Sequence, residues 1–144
     1  MNRFLRDGPG LLAKQDRELC DRQVSLLDQL VVTAPAVKSP GLTLWRGFSS
    51  WSYVYHLQKS IGATDSKHLI MNDAAYMSCS TLHSVGNFYA RRHALLPEDL
   101  DEAVLLRIHV PAGAKVICVF CMGAGVPNEE EVLLPRGSSI RIEQ

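Results

Sequence analysis

Apolar residues recur at helical spacing from about residue 14 to 32. Leu19, Cys20, Val24, Leu27, Leu30 and Val31 follow that period and charges fill the opposite side, which predicts an amphipathic helix. Ala34-Pro35 ends it and Pro40-Gly41 marks a turn. The period then changes to alternation over 42–46, a predicted strand on which Leu42, Leu44 and Arg46 share one face. Residues 51–61 suit a short helix, with Val54, Leu57 and Ile61 on one side, and 62–67 read as a loop.

A short strand is predicted over 76–80, followed by a helix carrying Val85, Phe88 and Tyr89. Residues 97–102 form an acidic connector. Two β-rich runs, 104–110 and 115–121, flank the turn Pro111-Ala112-Gly113. A loop over 122–128 carries Gly123, Gly125 and Pro127. Val132-Leu133-Leu134, the turn Pro135-Arg136-Gly137 and the run 139–142 predict a terminal hairpin. Helices early, strands late and short turns between strands argue for an α+β fold with antiparallel sheets. One domain over 11–144 is expected. It is preceded by an irregular arm, 1–10, where Asp7-Gly8-Pro9-Gly10 interrupts regular structure and Arg3 and Arg6 flank Phe4 and Leu5.

The chain of 144 residues is 47% hydrophobic and 21% charged, enough for one core without staples. A formal net charge of zero argues against nucleic acid or an anionic membrane as partner. No apolar run approaches the roughly 20 residues that span a bilayer, and the start, MNRFLRDGPG, lacks the apolar stretch of a secretory signal. A soluble protein is expected. Cys20, Cys79, Cys118 and Cys121 have apolar surroundings, so reduced core thiols are expected. Cys118 and Cys121 form a CxxC without the second ligand pair of a zinc site, so no metal is expected.

Three features carry candidate chemistry. Glu129-Glu130-Glu131 precedes Val132-Leu133-Leu134, so Glu131 stands where a loop enters the core. In extended backbone Glu129 and Glu131 point one way and Glu130 the other. The segment reads either as a solvated loop or as a cleft rim presenting two carboxylates. Arg46, on an apolar stripe, needs an anion: a dinucleotide diphosphate or an internal Asp or Glu. Ser78 and Ser80, on alternate positions, either orient a carboxylate or are ordinary polar positions of an edge strand.

The order of arginine strand, serine strand and paired glutamates resembles the ADP-ribosyltransferases of the arginine-serine-glutamate class, found among bacterial toxins and vertebrate ecto-enzymes. "LDQLVVTAPAVKSPGLTLWRG" is similar to that family's helix and arginine strand, and "YMSCSTLHSVGNF" to its serine-threonine-serine strand and following helix. "VLLRIHVPAGAKVICV" resembles its central strand pair, and "NEEEVLLPRGSSIRI" its glutamate-x-glutamate loop and last hairpin. The resemblance covers about residues 26–142 and extends to effectors that pathogens deliver into host cytoplasm.

The resemblance implies a split β-sandwich of two antiparallel sheets flanked by helices, with NAD in the cleft. Arg46 would hold the NAD diphosphate and Gly47 would offer backbone groups to the nicotinamide amide. Ser78 and Ser80 would line the NAD site, and Ser78 would steady Glu131. Glu131 would contact the nicotinamide ribose, and Glu129 would receive an arginine of the target protein. Trp45 and Val126 would lie on the acceptor side. Cys79 replaces the family's threonine, and Val126 or Pro127 replaces its target-recognising aromatic. The alternative is a fold without catalysis, whose Glu129 and Glu131 grip an arginine peptide; the chain's own arm offers one through Arg3 or Arg6.

Overall fold

The computed structural model describes residues 14–48, 69–92, 103–123, 125–126 and 128–142. The opening helical pattern becomes α1, Lys14–Thr33, with Asp16 in the first turn where the helix dipole favours an acid. The Ala34 N–H still donates to Leu30 O at 2.8 Å, and Pro35 then ends the helix. Cys20 and Val24 are buried, but Leu19 and Leu30 are exposed, so the inward stripe is narrower than the periodicity predicts. Polar contacts replace the missing apolar grip. The Tyr76 hydroxyl is within hydrogen-bonding distance of Val24 O at 3.2 Å and Asp28 Oδ1 at 2.5 Å. The Arg136 guanidinium donates to both Asp28 oxygens.

The remaining elements are β1 (Leu42–Phe48), β2 (Leu69–Asp73), β3 (Met77–Ser80), α2 (His83–Arg91), β4 (Val104–Val110), β5 (Ile117–Cys118), a 3-10 turn (Phe120–Met122), β6 (Glu131–Leu134) and β7 (Ser138–Ile142). Five strands form an antiparallel sheet in the order β4-β1-β3-β6-β5, and β2 pairs with β7 in a second sheet. The architecture is thus α+β with two antiparallel sheets.

The core lies between the sheets. Leu44, Phe48, Ile108 and Val110 from β1 and β4 join Cys79, Val132 and Leu134 from β3 and β6, and Met71 of β2 closes the cluster. Each fully buried side chain of this kind contributes about 1.5–3 kcal/mol.

Several expectations change. Residues 132–134 and 139–142 form no hairpin: β6 pairs with β3 and β5, β7 pairs with β2, and the turn between them carries the chain from one sheet to the other. Similarly, β4 and β5 flank a turn without pairing, because β4 lies on β1 and β5 on β6. The strand β2 is not among the elements predicted above. Asp73 is buried, and its Oδ1 accepts the Ala75 N–H at 2.9 Å, so the acid turns the chain just where β2 ends.

The run 115–121 is also interrupted after Cys118. The chain tightens into the 3-10 turn and Cys118 joins Cys121 in a disulfide, where reduced thiols were expected. The turn brings their Cα atoms to 5.3 Å, within the range a disulfide needs. Cys20 and Cys79 are free and buried. The arm 1–10, the helix 51–61, the loop 62–67 and the connector 97–102 lie outside the described residues. Among the described residues no helix is long and apolar enough to cross a membrane.

Candidate active site

The strands β1 and β3 share a single registered pair, Trp45 opposite Ser80. Antiparallel continuation would set Gly47 opposite Ser78, but the strands part before that point. The Ser78 carbonyl, freed from the ladder, accepts instead a hydrogen bond from Arg46 Nη1. Arg46 starts from the face that carries Leu44 and Phe48, and its guanidinium lies 5.1 Å from the Phe48 ring centroid. Its Nε is buried without a partner, and among the described residues no carboxylate pairs with it. The internal ion pair weighed for Arg46 is therefore not formed there. Arg46 lines the cleft, and a half-buried guanidinium there is a suitable anchor for a diphosphate.

Gly47 has a second reason to be glycine. A Cβ on it would lie 2.1 Å from Gly86 O and 2.3 Å from Ala90 N of α2. The helix therefore rests backbone to backbone on β1. This contact brings the α2 face of Val85, Gly86 and Tyr89 against the cleft. The same approach places the Trp45 ring edge-on to His83, centroids 4.6 Å apart.

Hydroxyl groups hold the acidic loop in place. Ser78 Oγ donates to Glu131 Oε1 at 2.5 Å, Ser80 Oγ to Glu129 O at 2.6 Å, and Thr81 Oγ1 to Glu130 Oε2. The Val119 N–H donates to Glu131 O at 2.9 Å. Glu130 has φ +44°, and Asn128 has φ +68°, so this loop is not extended and simple alternation fails there. Glu129 and Glu131 nevertheless both line the cleft, while Glu130 turns to Thr81.

Trp45, Arg46, Gly47, Ser78, Ser80, Val126, Glu129 and Glu131 all line one cleft of about 520 Å3. That volume falls within the ~300–1,000 Å3 typical of small-molecule sites. An unrelated fold would have scattered these residues. Val126 is 57% exposed at the rim. Cys79 faces the core, and burial pushes its thiol up to about 12, with Arg46 pulling it down and the Glu131 and Asp73 charges adding to the rise. It is an inert core thiol. Arg3 and Arg6 lie outside the described residues, as does Pro127.

Tyr89, predicted only as a helix residue, also belongs to the site. Its hydroxyl donates to Glu129 Oε1 at 2.6 Å. That hydrogen bond, then burial and the Glu129 charge, raise the phenol above its ordinary range, against the opposing pull of Arg92. Tyr89 falls three residues after Gly86, a spacing that places it on the helix side that packs closely on β1; its carboxylate partner lies forty residues away in sequence.

The family model described as ADP-ribosyltransferase exoenzyme matches residues 1–144. Among solved structures the chain is similar to Plx2a, an ADP-ribosyltransferase toxin from Paenibacillus larvae, with a TM-score of 0.61 and 20% identity. The match covers 96% of this chain and 66% of the toxin's, so the chain spans just under two thirds of that protein. At this identity the likeness is one of fold. No curated protein matches the sequence.

Proposed function

Because the chain belongs to the ADP-ribosyltransferase exoenzyme family, whose substrate is NAD, we propose that it transfers ADP-ribose from NAD to the guanidinium of an arginine on a target protein. The observation that carries this reading is the convergence of Arg46, Ser78, Glu129 and Glu131 on one cleft. NAD fits the residues present: a cleft-lining guanidinium that no carboxylate among the described residues pairs with, and a tethered carboxylate.

In this reading Arg46 holds the diphosphate and the Gly47 backbone meets the nicotinamide amide. Ser78 and Ser80 form the floor. Trp45 and Val126 flank the approach of the acceptor. Breaking the bond between the ribose and nicotinamide leaves its electron pair on nicotinamide and positive charge on the ribose. Glu131, held by Ser78, stabilises that charge, as a preorganised carboxylate does in glycoside cleavage. A guanidinium nitrogen then forms the new bond to the same ribose carbon, and its proton passes to Glu129. A free guanidinium has a pKa above about 12, so it is a poor nucleophile until a carboxylate lies against it. Glutamate at position 129 favours an arginine acceptor on these grounds.

The test is incubation with labelled NAD and polyarginine, with Glu131→Ala as control. Label transfer that disappears in the variant supports the reading. Calorimetry that finds arginine-peptide binding but no NAD binding would overturn it in favour of a peptide-gripping fold without catalysis.

A further inference from the structure

The three acidic residues of the loop are tethered differently. The carboxylates of Glu131 and Glu130 are reached by hydroxyls from β3 and its immediate continuation, Ser78 and Thr81. Glu129 receives Ser80 only at its backbone oxygen; its carboxylate is reached from α2, by Tyr89. Resting on the transferase reading, we propose that Tyr89 is a positioning residue for the acceptor: its hydroxyl fixes the Glu129 carboxylate where the incoming guanidinium is deprotonated, and so sets the partition of ADP-ribose between arginine and water.

The geometry supports each step. A carboxylate offers about four acceptor directions. Tyr89 occupies one, on Oε1, at 2.6 Å. Two parallel N–H groups of a guanidinium still find acceptors on the same carboxylate. The backbone that carries the tyrosine is set on β1 by the Gly47–Gly86 contact. The Arg92 guanidinium also lies 5.7 Å from the Tyr89 ring centroid. Without the hydroxyl, the Glu129 carboxylate hangs from a loop between two non-glycine left-handed residues and keeps its freedom of rotation. Glu131 retains Ser78 in that case, so bond cleavage in NAD suffers less than capture by arginine.

The experiment compares wild type with Tyr89→Phe, using NAD and agmatine as the guanidino acceptor, and measures ADP-ribosyl-agmatine and free ADP-ribose together. The expected result is a transfer-to-hydrolysis ratio lowered roughly tenfold, the scale of one hydrogen bond to a charged group, appearing in kcat for agmatine. A ratio equal to wild type overturns the inference and leaves the transferase reading intact. A wild type that cleaves no NAD overturns both. A second measurement needs no change at Tyr89: its phenol is titrated by ring-carbon NMR in wild type and in Glu129→Gln. The groups facing that phenol are Glu129, Glu131 and Arg92. A lower midpoint in Glu129→Gln supports the contact, and an unchanged one overturns it.

Discussion

Ser78 donates its hydroxyl to Glu131 at 2.5 Å, although the two residues are not partners in the ladder. The register sets Ser78 opposite Leu133 and Ser80 opposite Glu131, so the hydrogen bond runs diagonally along one face of the sheet. It fixes the carboxylate rotamer from outside the loop. Ser78→Ala is expected to lower the rate of nicotinamide release about tenfold, and Glu131→Gln about a hundred- to a thousandfold. Single-turnover assays with saturating NAD check both, and equal rates for Ser78→Ala and wild type would remove the diagonal bond from the mechanism.

Arg46 donates through Nη1 to Ser78 O and leaves its other terminal nitrogen for the cleft, while its Nε is buried. Arg46→Ala should weaken NAD binding by tenfold or more, on the order of one charge-assisted hydrogen bond. Arg46→Lys should not restore it, because an ammonium cannot bridge Ser78 O and a diphosphate as a planar fork does. Calorimetry on the three proteins measures the difference.

The two glycines at the helix–strand contact are expected to tolerate substitution unequally. At Gly47 a Cβ meets the backbone of Gly86 and Ala90, which cannot give way without moving the helix. At Gly86 the nearest atoms are the Leu105 side chain and Trp45 Cβ, both at 2.9 Å. Gly47→Ala is therefore expected to cost at least about 2 kcal/mol and lower Tm by roughly 5 °C or more. Gly86→Ala costs less. Thermal unfolding monitored by circular dichroism ranks them.

The clamp on α1 gives a dependence on pH. Hydrogen bonds from Arg136, then from Tyr76, hold the Asp28 carboxyl below its usual 3.8, against burial. A folded pKa below the unfolded value contributes stability above 3.8, and that stability is lost as pH falls through the lowered value. Tyr76 has the opposite sign. Burial, then Asp28, push its phenol up to about 12, so its contribution is complete below 10.0 and is lost as pH rises through about 12. The Asp28–Arg136 side chains are 39% and 47% exposed, so water and salt screen them, and Arg136→Ala costs no more than about 1 kcal/mol. Denaturant unfolding at two salt concentrations, near neutrality and near pH 3, should show the variant's deficit shrink in acid and in salt.

Reduction of the Cys118–Cys121 bond is expected to cost about 2 kcal/mol, the loop-closure value for so short a ring. The Val119 N–H, which lies between the two cysteines and donates to Glu131 O, should then exchange faster with solvent. Hydrogen exchange with and without a dithiol reads this.

The local elements were largely legible in the sequence, and their partners were not. The helix at 14–33 and the strands around Leu44, Cys79 and Ile108 follow from period and composition. β6 and β7 look like a hairpin because a short turn joins them; only their separate partners, β3 and β2, place them in different sheets. Residue types also marked Arg46, Ser78 and Glu131 as candidates through the resemblance. The Tyr89–Glu129 contact had no such signal, because α2 must first rest on β1 before a helix tyrosine meets a distant loop. Glu129 and Glu131 share the cleft as the acidic triplet predicts, but through a positive φ at Glu130 rather than through extended alternation.

The single registered pair between β1 and β3 has a last consequence. A sheet that unzips midway carries its opening in main-chain geometry, so part of the hollow's outline is drawn by backbone. Stripping away both acids and the arginine would remove the groups the proposed chemistry uses and leave that parting of the strands in place. Closing that parting means re-zipping two strands and releasing peptide groups such as the Ser78 carbonyl from their present partners.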